Sequence, residues 1–326
     1  MSARRRVVVT GANGFLGRHL VRAAERDGAA VLGVVRVAGA RQASMTNVLA
    51  EPSLLDGADV LVHAAAIRHR HDATPSAYQA SNVALVDALV RAAAGRVGRF
   101  IHVSSVGVYG FPRALPVTEA SPFAPRTLYS QTKVEAEQLV TGLAKKLGLP
   151  FTIVRPTIIY GPGDTNGMLD KLAAMLRARR YLLVGTGENT LHHTYIDDVV
   201  DGIYALAASK QAENDHFILA GPETITLRRL GEMVARILGS RVPRLRVPLG
   251  LARAVAACFD IARYRRLAFV TREPPINNEK LDVMTVSIAF DPAKARAVGF
   301  APQVGYEEGL ARTLGELPDG ARPDHA

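Results

Sequence analysis

The sequence predicts an α/β fold: a doubly wound parallel sheet with helices on both faces, and a smaller C-terminal lobe partly interleaved with it. Three observations carry this expectation. Apolar runs without polar alternation recur at residues 5–10, 30–35, 59–64, 99–103 and 151–159, and strands buried on both faces read that way. Segments with helical spacing of apolar residues separate these runs, as a parallel sheet requires. A chain of 326 residues suits one large domain with a lobe and is short for three domains.

The first run, Arg5-Arg-Val-Val-Val-Thr10, is β-branched and meets Gly11, and residues 15–25 then carry apolar side chains at helical spacing. That is a strand, a tight turn and a helix. The run at 30–35 is a second strand, and 59–64 a further one. A helix over 78–94 follows, then a strand at 99–103, a helix over about 128–146, a strand at 151–159 and a helix near 169–179. Beyond Leu183 the elements shorten, with turn signals at Gly185-Thr-Gly187 and Gly221-Pro222 and prolines clustered at 243–248 and 274–275. Residues 1–183 are therefore expected to form mainly the sheet domain, and residues 184–326 mainly the lobe.

Composition excludes several classes. Hydrophobic residues make up 48% and charged residues 21%, with 28 Gly and 18 Pro, which rules out a disordered, collagenous or coiled-coil chain. One cysteine, Cys258, allows no intrachain disulfide, and no Cys/His pair has zinc-ligand spacing, so no metal site is expected and a reducing cytoplasm fits. The net charge of +10 is scattered along the chain; no basic run is interleaved with stacking aromatics, so nucleic acid is not the expected partner. The apolar stretch behind Arg4 to Arg6 ends at Thr10-Gly11, unlike an export signal. The stretch 248–261 is cut by Arg253 and too short to span a bilayer, so no membrane partner is expected.

Gly11-Ala-Asn-Gly14-Phe-Leu-Gly17 follows the first strand and opens the first helix. Glycines there permit a tight turn and close backbone approach, while the helix N-terminus offers free N–H groups to a pyrophosphate. The G-x-x-G-x-x-G spacing also suits a plain strand–helix connection. At the end of the second strand, where an acidic residue would accept from the adenosine ribose of NAD, the chain reads Val34-Val35-Arg36. Arginine favours a 2′-phosphate, hence NADP with NAD as the alternative; an exposed arginine in an Arg-rich chain is the competing explanation.

Tyr129-Ser-Gln-Thr-Lys133 sets a phenol and an ammonium one helical turn apart on one face. A tyrosine with an unperturbed pKa of about 10 is a poor base at neutral pH, and a nearby cation brings it toward the working range. The pair can thus move a proton on and off an alcohol oxygen.

These motifs, with Val62-His-Ala-Ala-Ala66, Ser81-Asn82-Val83, Phe100-Ile-His-Val-Ser-Ser105, Val108-Tyr-Gly110, Arg155-Pro156, Tyr160-Gly-Pro-Gly163, Tyr195-Ile-Asp-Asp198, Phe290-Asp-Pro-Ala-Lys294 and Gly299-Phe-Ala-Pro302, give the chain a family likeness. It resembles the extended short-chain dehydrogenases/reductases, the NAD(P)-dependent epimerase/dehydratase family, over nearly its whole length. The resemblance implies a Rossmann-type sheet and an enzyme that transfers hydride at a secondary alcohol or ketone. It implies Ser105 as hydrogen-bond donor to the reacting oxygen, Tyr129 as acid/base, and Lys133 on the nicotinamide ribose. It further implies cofactor contacts from Gly11, Asn13, Gly14, Phe15, Leu16 and Gly17, from Ala64, Ala65 and Ala66, and from Ser104, Tyr129, Lys133 and Pro156. Asn47 and Val48 occupy roughly the place of an acidic residue near adenine. Asn82 belongs to the same set, with a helix-interior Asn satisfying backbone groups as its alternative. Asp197 and Asp198 read as structural caps of a helix over 199–208.

Departures from the family pattern bear on substrate. Val106-Gly107 stands where dehydratases carry Asp-Glu, which argues against dehydration. Ile158 replaces a common Asn, and Leu191-His192-His193 lies where an Arg is common for gripping a diphosphate. Arg253, Arg263, Arg265 and Arg266 are candidate phosphate contacts, with plain surface arginines as the alternative. The first expectation is a nucleotide-sugar ketoreductase or epimerase. The second is a hydroxysteroid-like or other apolar alcohol dehydrogenase or ketone reductase, which suits the apolar segments 249–261 and 268–270, themselves open to plain lobe packing. A non-catalytic NADP-sensing protein is the minor alternative. His69 and His71 lie in the loop after the strand at 59–64, within expected reach of substrate. The expected partner is a small molecule, with homodimerisation allowed.

Overall fold

The computed structural model describes residues 4–37, 39, 42–68, 73–112, 114–165, 167–241, 246–264, 281–282 and 285–315, with the backbone alone for 260–264. Its strands are β1 (Arg6–Thr10), β2 (Ala30–Val35), β3 (Gln42–Ser44), β4 (Ala58–His63), β5 (Val97–Val103), β6 (Phe151–Pro156), β7 (Ile158–Tyr160), β8 (Leu183–Val184), β9 (Thr190–Leu191), β10 (His193–Tyr195), β11 (Asp215–Leu219), β12 (Ile225–Thr226) and β13 (Arg246–Val247). The helices used below are α1 (Phe15–Arg26), α2 (Met45–Ala50), α3 (Pro75–Gln79), α4 (Leu85–Ala93), α5 (Leu128–Lys146), α6 (Met168–Arg177), α7 (Ile196–Ala208), α8 (Leu227–Ile237) and α9 (Leu249–Tyr264).

Seven parallel strands form a sheet in the order β11-β6-β5-β4-β1-β2-β3. Val7, Val8 and Val9 of β1 have at most 1% of their surface exposed, which explains why β1 shows no polar alternation. Strand order reverses at β1, whose Thr10 lies in register with Val34 of β2 and His63 of β4. In open parallel sheets ligands bind outside the carboxyl ends at such a switch point. Helices α4 and α5 bury Val86, Leu89, Val90, Ala136 and Val140 in the core beside Leu61 and Phe100. Arg99 of β5 donates to Leu206 O at 3.0 Å and Ser209 O at 2.7 Å and pairs with Glu213, closing the C-terminal carbonyls of α7.

The helix expected over 78–94 is interrupted. Between α3 and α4 lies one π-helical stretch, Ala80–Ala84, and it holds Asn82 with 1% exposure. Such wide turns recur at functional sites.

The chain divides into two compact units. The first comprises Met1–Ile159, Thr194–Gly221 and Phe290–Gln303, and it contains the sheet. Its last segment docks through Lys294, whose Nζ donates to Asp215 Oδ1 at 2.6 Å and His216 O at 3.0 Å. Phe300 fills the space over Gly202, where a Cβ would lie 2.6 Å from the ring. The second unit comprises Tyr160–His193, Pro222–Ala289 and Val304–Ala326. It begins well before the expected boundary at residue 183, because α6 buries Leu169, Leu172 and Leu176 and packs on α8. There β12 pairs antiparallel with β9 and β13 parallel with β8. Helix α9 buries Ala252 and Ala256 against Val184 and Leu281, while Leu251 and Val255 stay 59% and 42% exposed. No helix among the described residues is long and apolar enough to cross a membrane.

Candidate active site

The glycine turn is fixed by its own backbone. Gly11 adopts φ +71° and donates to Val34 O at 2.8 Å, and Gly14 N–H donates to Gly11 O at 2.8 Å. A Cβ on Gly11 would meet the Ala65 backbone at 2.9 Å, and one on Gly17 would meet Gly11 O at 2.0 Å. Only glycine fits both positions, so β1, the N-terminus of α1 and the Ala64–Ala65 backbone stand side by side. Ala64 and Ala65 hang from Thr10, through Thr10 O at 3.3 Å and Oγ1 at 3.4 Å. Ala66, Phe15 and Leu16 are half-buried along the same edge. Asn13 is exposed and its Oδ1 accepts from Gln42 Nε2 at 2.8 Å. Ser104 is buried, and its hydroxyl meets no partner among the described residues. A backbone cradle at a helix N-terminus, lined by alanines and ending at an unsatisfied buried hydroxyl, fits a dinucleotide.

Arg36 follows β2 directly and is exposed beside this turn. Asn47 is exposed too, and its N–H donates to Ser44 Oγ at 3.0 Å, capping α2. Val48 has no exposed surface and packs with Val34 and Leu55, so its side chain belongs to the core and not to an adenine pocket. Pro156 is buried at the end of β6, in register with Leu219.

Ser105, Tyr129 and Lys133 meet at the carboxyl edge of β5. Ser105 caps the 3-10 turn Val106–Tyr109, its Oγ accepting from Gly107 N at 3.1 Å, and it hydrogen-bonds the Tyr129 phenol. A reciprocal cap between Thr127 and Ser130 fixes the first turn of α5 and with it Tyr129. Lys133 is buried, lies 5.9 Å from the centre of the Tyr129 ring, and donates to Val103 O at 2.7 Å. Burial pulls its ammonium down to about 8, opposed by Glu137. Burial likewise pushes the Tyr129 phenol up to about 12, opposed by the charge of Arg68 and by the Ser105 hydrogen bond. This corrects the expectation that Lys133 brings the phenol toward neutral pH. Desolvation outweighs the neighbouring charges, and one N–H of the lysine is given to a backbone carbonyl.

Arg68 and two histidines escaped sequence reasoning. Asn82 clamps the loop that carries Arg68: its Oδ1 accepts from Ile67 N at 2.8 Å, and its Nδ2 donates to Ile67 O at 3.0 Å and Thr132 Oγ1 at 3.1 Å. Tyr78 OH donates to Arg68 O at 2.8 Å. The backbone-satisfying alternative thus describes Asn82. His63 and His102 are buried on neighbouring strands, stacked with ring centres 5.6 Å apart, and desolvation holds His63 down at about 3 and His102 well below its ordinary value. His63 Nδ1 shares a 2.7 Å hydrogen bond with Thr10 Oγ1. A histidine inside an apolar strand run signals such a pair only when the register is known.

Asp197 and Asp198 lie within the first turn of α7 and not at its cap, which is Tyr195. Asp198 accepts from Gln303 N at 2.9 Å, and Asp197 is 3.8 Å from His19. In the second unit His193 is buried, with Nδ1 2.9 Å from Tyr306 OH, and Arg253 pairs with Asp282 at 3.1 Å. His69, His71, Arg265, Arg266, the segment 268–270 and the Arg263 side chain lie outside the described residues.

Known proteins share these features. Residues 7–220 match the NAD dependent epimerase/dehydratase family. A 4-hydroxy-2-methyl-3-oxo-4-farnesyl-3,4-dihydroquinoline-1-oxide ketoreductase of Stigmatella aurantiaca is 30% identical, over 98% of this chain and 100% of its own. A 2-alkyl-3-oxoalkanoate reductase of Stenotrophomonas maltophilia is 28% identical, over 94% of this chain and 98% of its own. The crystal structure of UDP-glucuronic acid 4-epimerase from Bacillus cereus in complex with NAD has the same fold, with TM-score 0.73, 22% identity, and coverage of 94% and 97%. The family match runs over residues 7–220, a stretch that holds the glycine turn at the switch point and the serine, tyrosine and lysine at the edge of β5, and the chain belongs to the NAD dependent epimerase/dehydratase family.

Proposed function

We propose that this protein reduces a ketone on an apolar substrate to a secondary alcohol, with NADPH as the preferred reductant. The observation that carries this reading is the meeting of Ser105, Tyr129 and Lys133 at the carboxyl edge of β5, where the Tyr129 phenol, pushed up by burial, keeps its proton at neutral pH and can give it to a forming alkoxide. When bound, the nicotinamide cofactor supplies the hydride, which goes to the carbonyl carbon. Ser105 donates a hydrogen bond to the carbonyl oxygen, Tyr129 delivers its proton there, and the phenolate regains a proton from solvent. Lys133 holds the nicotinamide ribose and keeps a positive charge beside the phenol, favouring the transient phenolate. The glycine turn holds the pyrophosphate, and Arg36 the 2′-phosphate.

Three features favour an apolar ketone over a nucleotide sugar. His193 is buried within its unit, with Nδ1 engaged by Tyr306 and Nε2 covered, so it does not present a ring nitrogen to a diphosphate. Ile158 offers no hydrogen bond to a sugar. The ketoreductase from Stigmatella and the reductase from Stenotrophomonas, matched over nearly their whole length, act by their names on keto compounds that carry a farnesyl group or an alkyl chain. Val106-Gly107, in place of an acid pair, supports hydride transfer without elimination of water.

The test is to mix the full chain with NADPH and either a 2-alkyl-3-oxoalkanoate or UDP-glucose. Loss of reduced-cofactor absorbance in step with alcohol formed from the keto acid is the expected result. Isomerisation of UDP-glucose with no net absorbance change would replace this reading with an epimerase.

A further inference from the structure

Directly below the site lies a buried ion pair that the hydride chemistry leaves unused. Glu137 of α5 and Arg155 of β6 are each 3% exposed. Arg155 Nε donates to Glu137 Oε1 at 3.0 Å and Oε2 at 3.1 Å, and Nη2 donates to Oε2 at 2.6 Å. Its Nη1 donates to Tyr109 OH at 2.5 Å, and the guanidinium lies 5.0 Å from the centre of the Phe123 ring. Burying two charges is costly, and an apolar pair of similar volume is often as stable. Retaining a carboxylate here therefore calls for a second role. Glu137 is four residues after Lys133, on the same face of α5.

We propose that Glu137, held by Arg155, is a positioning residue for hydride transfer: its carboxylate keeps the Lys133 ammonium charged and seated on the Val103 carbonyl. This rests on the role given to Lys133 above. Among the described residues, the titratable groups that act on Lys133 or touch it are His63 on β4, His102 on β5, and Tyr129 and Glu137 on α5. The two histidines are neutral and Arg155 is spent on Glu137, which leaves Glu137 as the carboxylate opposing the desolvation of Lys133. Arg155 acts by aiming that carboxylate, with three hydrogen bonds that leave it one orientation.

The experiment is the Glu137→Gln variant of the full chain, read first without substrate. The chain has seven lysines, so the side-chain NMR signal of Lys133 can be assigned by its loss in Lys133→Arg and followed with pH. The Lys133 midpoint is expected to fall by about one pH unit. The alkaline limb of kcat/KM should fall with it, while kcat at lower pH changes little. Glu137→Asp should restore part of the shift. Should Glu137→Gln fail to fold, Glu137→Gln with Arg155→Gln buries two amides and no charge, and the Lys133 midpoint should still move down. An unchanged midpoint in whichever variant folds overturns the proposal. A midpoint that moves in a protein that turns over no ketone upholds Glu137 and sinks the reductase reading instead.

Discussion

Each unit buries a polar cluster, and the two clusters are built on opposite principles. In the first unit Lys133, Glu137 and Arg155 place two cations and an anion under the candidate site. In the second, Tyr160, His193 and Tyr306 form a neutral aromatic group: Tyr160 and Tyr306 stack at 6.1 Å, and His193 meets both edge-on. Burial holds His193 down at about 3, so it carries no charge at neutral pH. The difference teaches where this protein spends its buried charge. Ions are kept under the candidate site, and the cluster of the second unit is left without charge.

The sharpest way to break this contrast is to remove one partner from each cluster. Arg155→Met leaves Glu137 buried without its cation and should cost about 3–5 kcal/mol of stability. His193→Phe loses the bond to Tyr306 and should cost about 1 kcal/mol. Urea unfolding measures both, and equal losses would erase the distinction. Turnover separates the units further. Tyr129→Phe should lower kcat by about a hundredfold or more while NADPH still binds. Tyr306→Phe, in the second unit, should change stability and leave kcat near its original value; the reverse pattern would move the chemistry to the other cluster.

Acid sharpens the comparison, because both units bury histidines. His63 and His193 are held down at about 3 and His102 well below its ordinary value, whereas in the unfolded chain each takes a proton at about 6.5. The unfolded state therefore binds more protons as pH falls below 6.5, and stability is lost from there toward 3. Each histidine contributes a slope of about 1.4 kcal/mol per pH unit. His102→Phe should flatten unfolding free energy against pH by that amount, and an unchanged slope would mean that His102 takes up a proton in the fold. The smallest effect concerns the cofactor. NADPH should bind about tenfold more tightly than NADH, roughly 1.4 kcal/mol, and Arg36→Asp should reverse the order. Calorimetry that finds equal affinities removes Arg36 from the 2′-phosphate.

The sheet was legible because both-face burial makes its strands apolar throughout: β1, β2, β4 and β5 stand where the runs predict, and the run at 151–159 splits into β6 in this sheet and β7 beside β10. Strand β3 and helix α2 were not, since three and six residues carry no period: β3 forms by pairing with β2, and α2 starts at the Ser44 cap. The π-turn at Asn82 was invisible for a related reason. The residues 78–94 keep helical spacing whether or not one turn is widened, and only the Ile67 backbone across the gap decides it. At the site, the Tyr129 and Lys133 spacing placed two side chains correctly on one face but said nothing of depth. Depth fixes the phenol's protonation, which is why the sign of its shift was misread. Arg68 was passed over because an arginine in a loop has no pattern, and its approach to Tyr129 depends on Asn82 and Tyr78.

The docking of Phe290–Gln303 back into the first unit has a consequence for synthesis. Chains emerge from the ribosome N-terminus first, and strands β1 to β6 of this sheet are complete by residue 156. Yet β11, which covers the edge of β6, arrives with residues 215–219, and Lys294 and Phe300, which lock β11 and cover Gly202, arrive later still. Until β11 arrives the nascent sheet carries an open parallel edge at β6, and such edges invite pairing with other chains. A nascent chain that has not released residues 215–219 therefore holds a sheet with a bare β6 edge, and protease protection of chains stalled on a C-terminal extension should rise once those residues have emerged and again once residues 290–303 have.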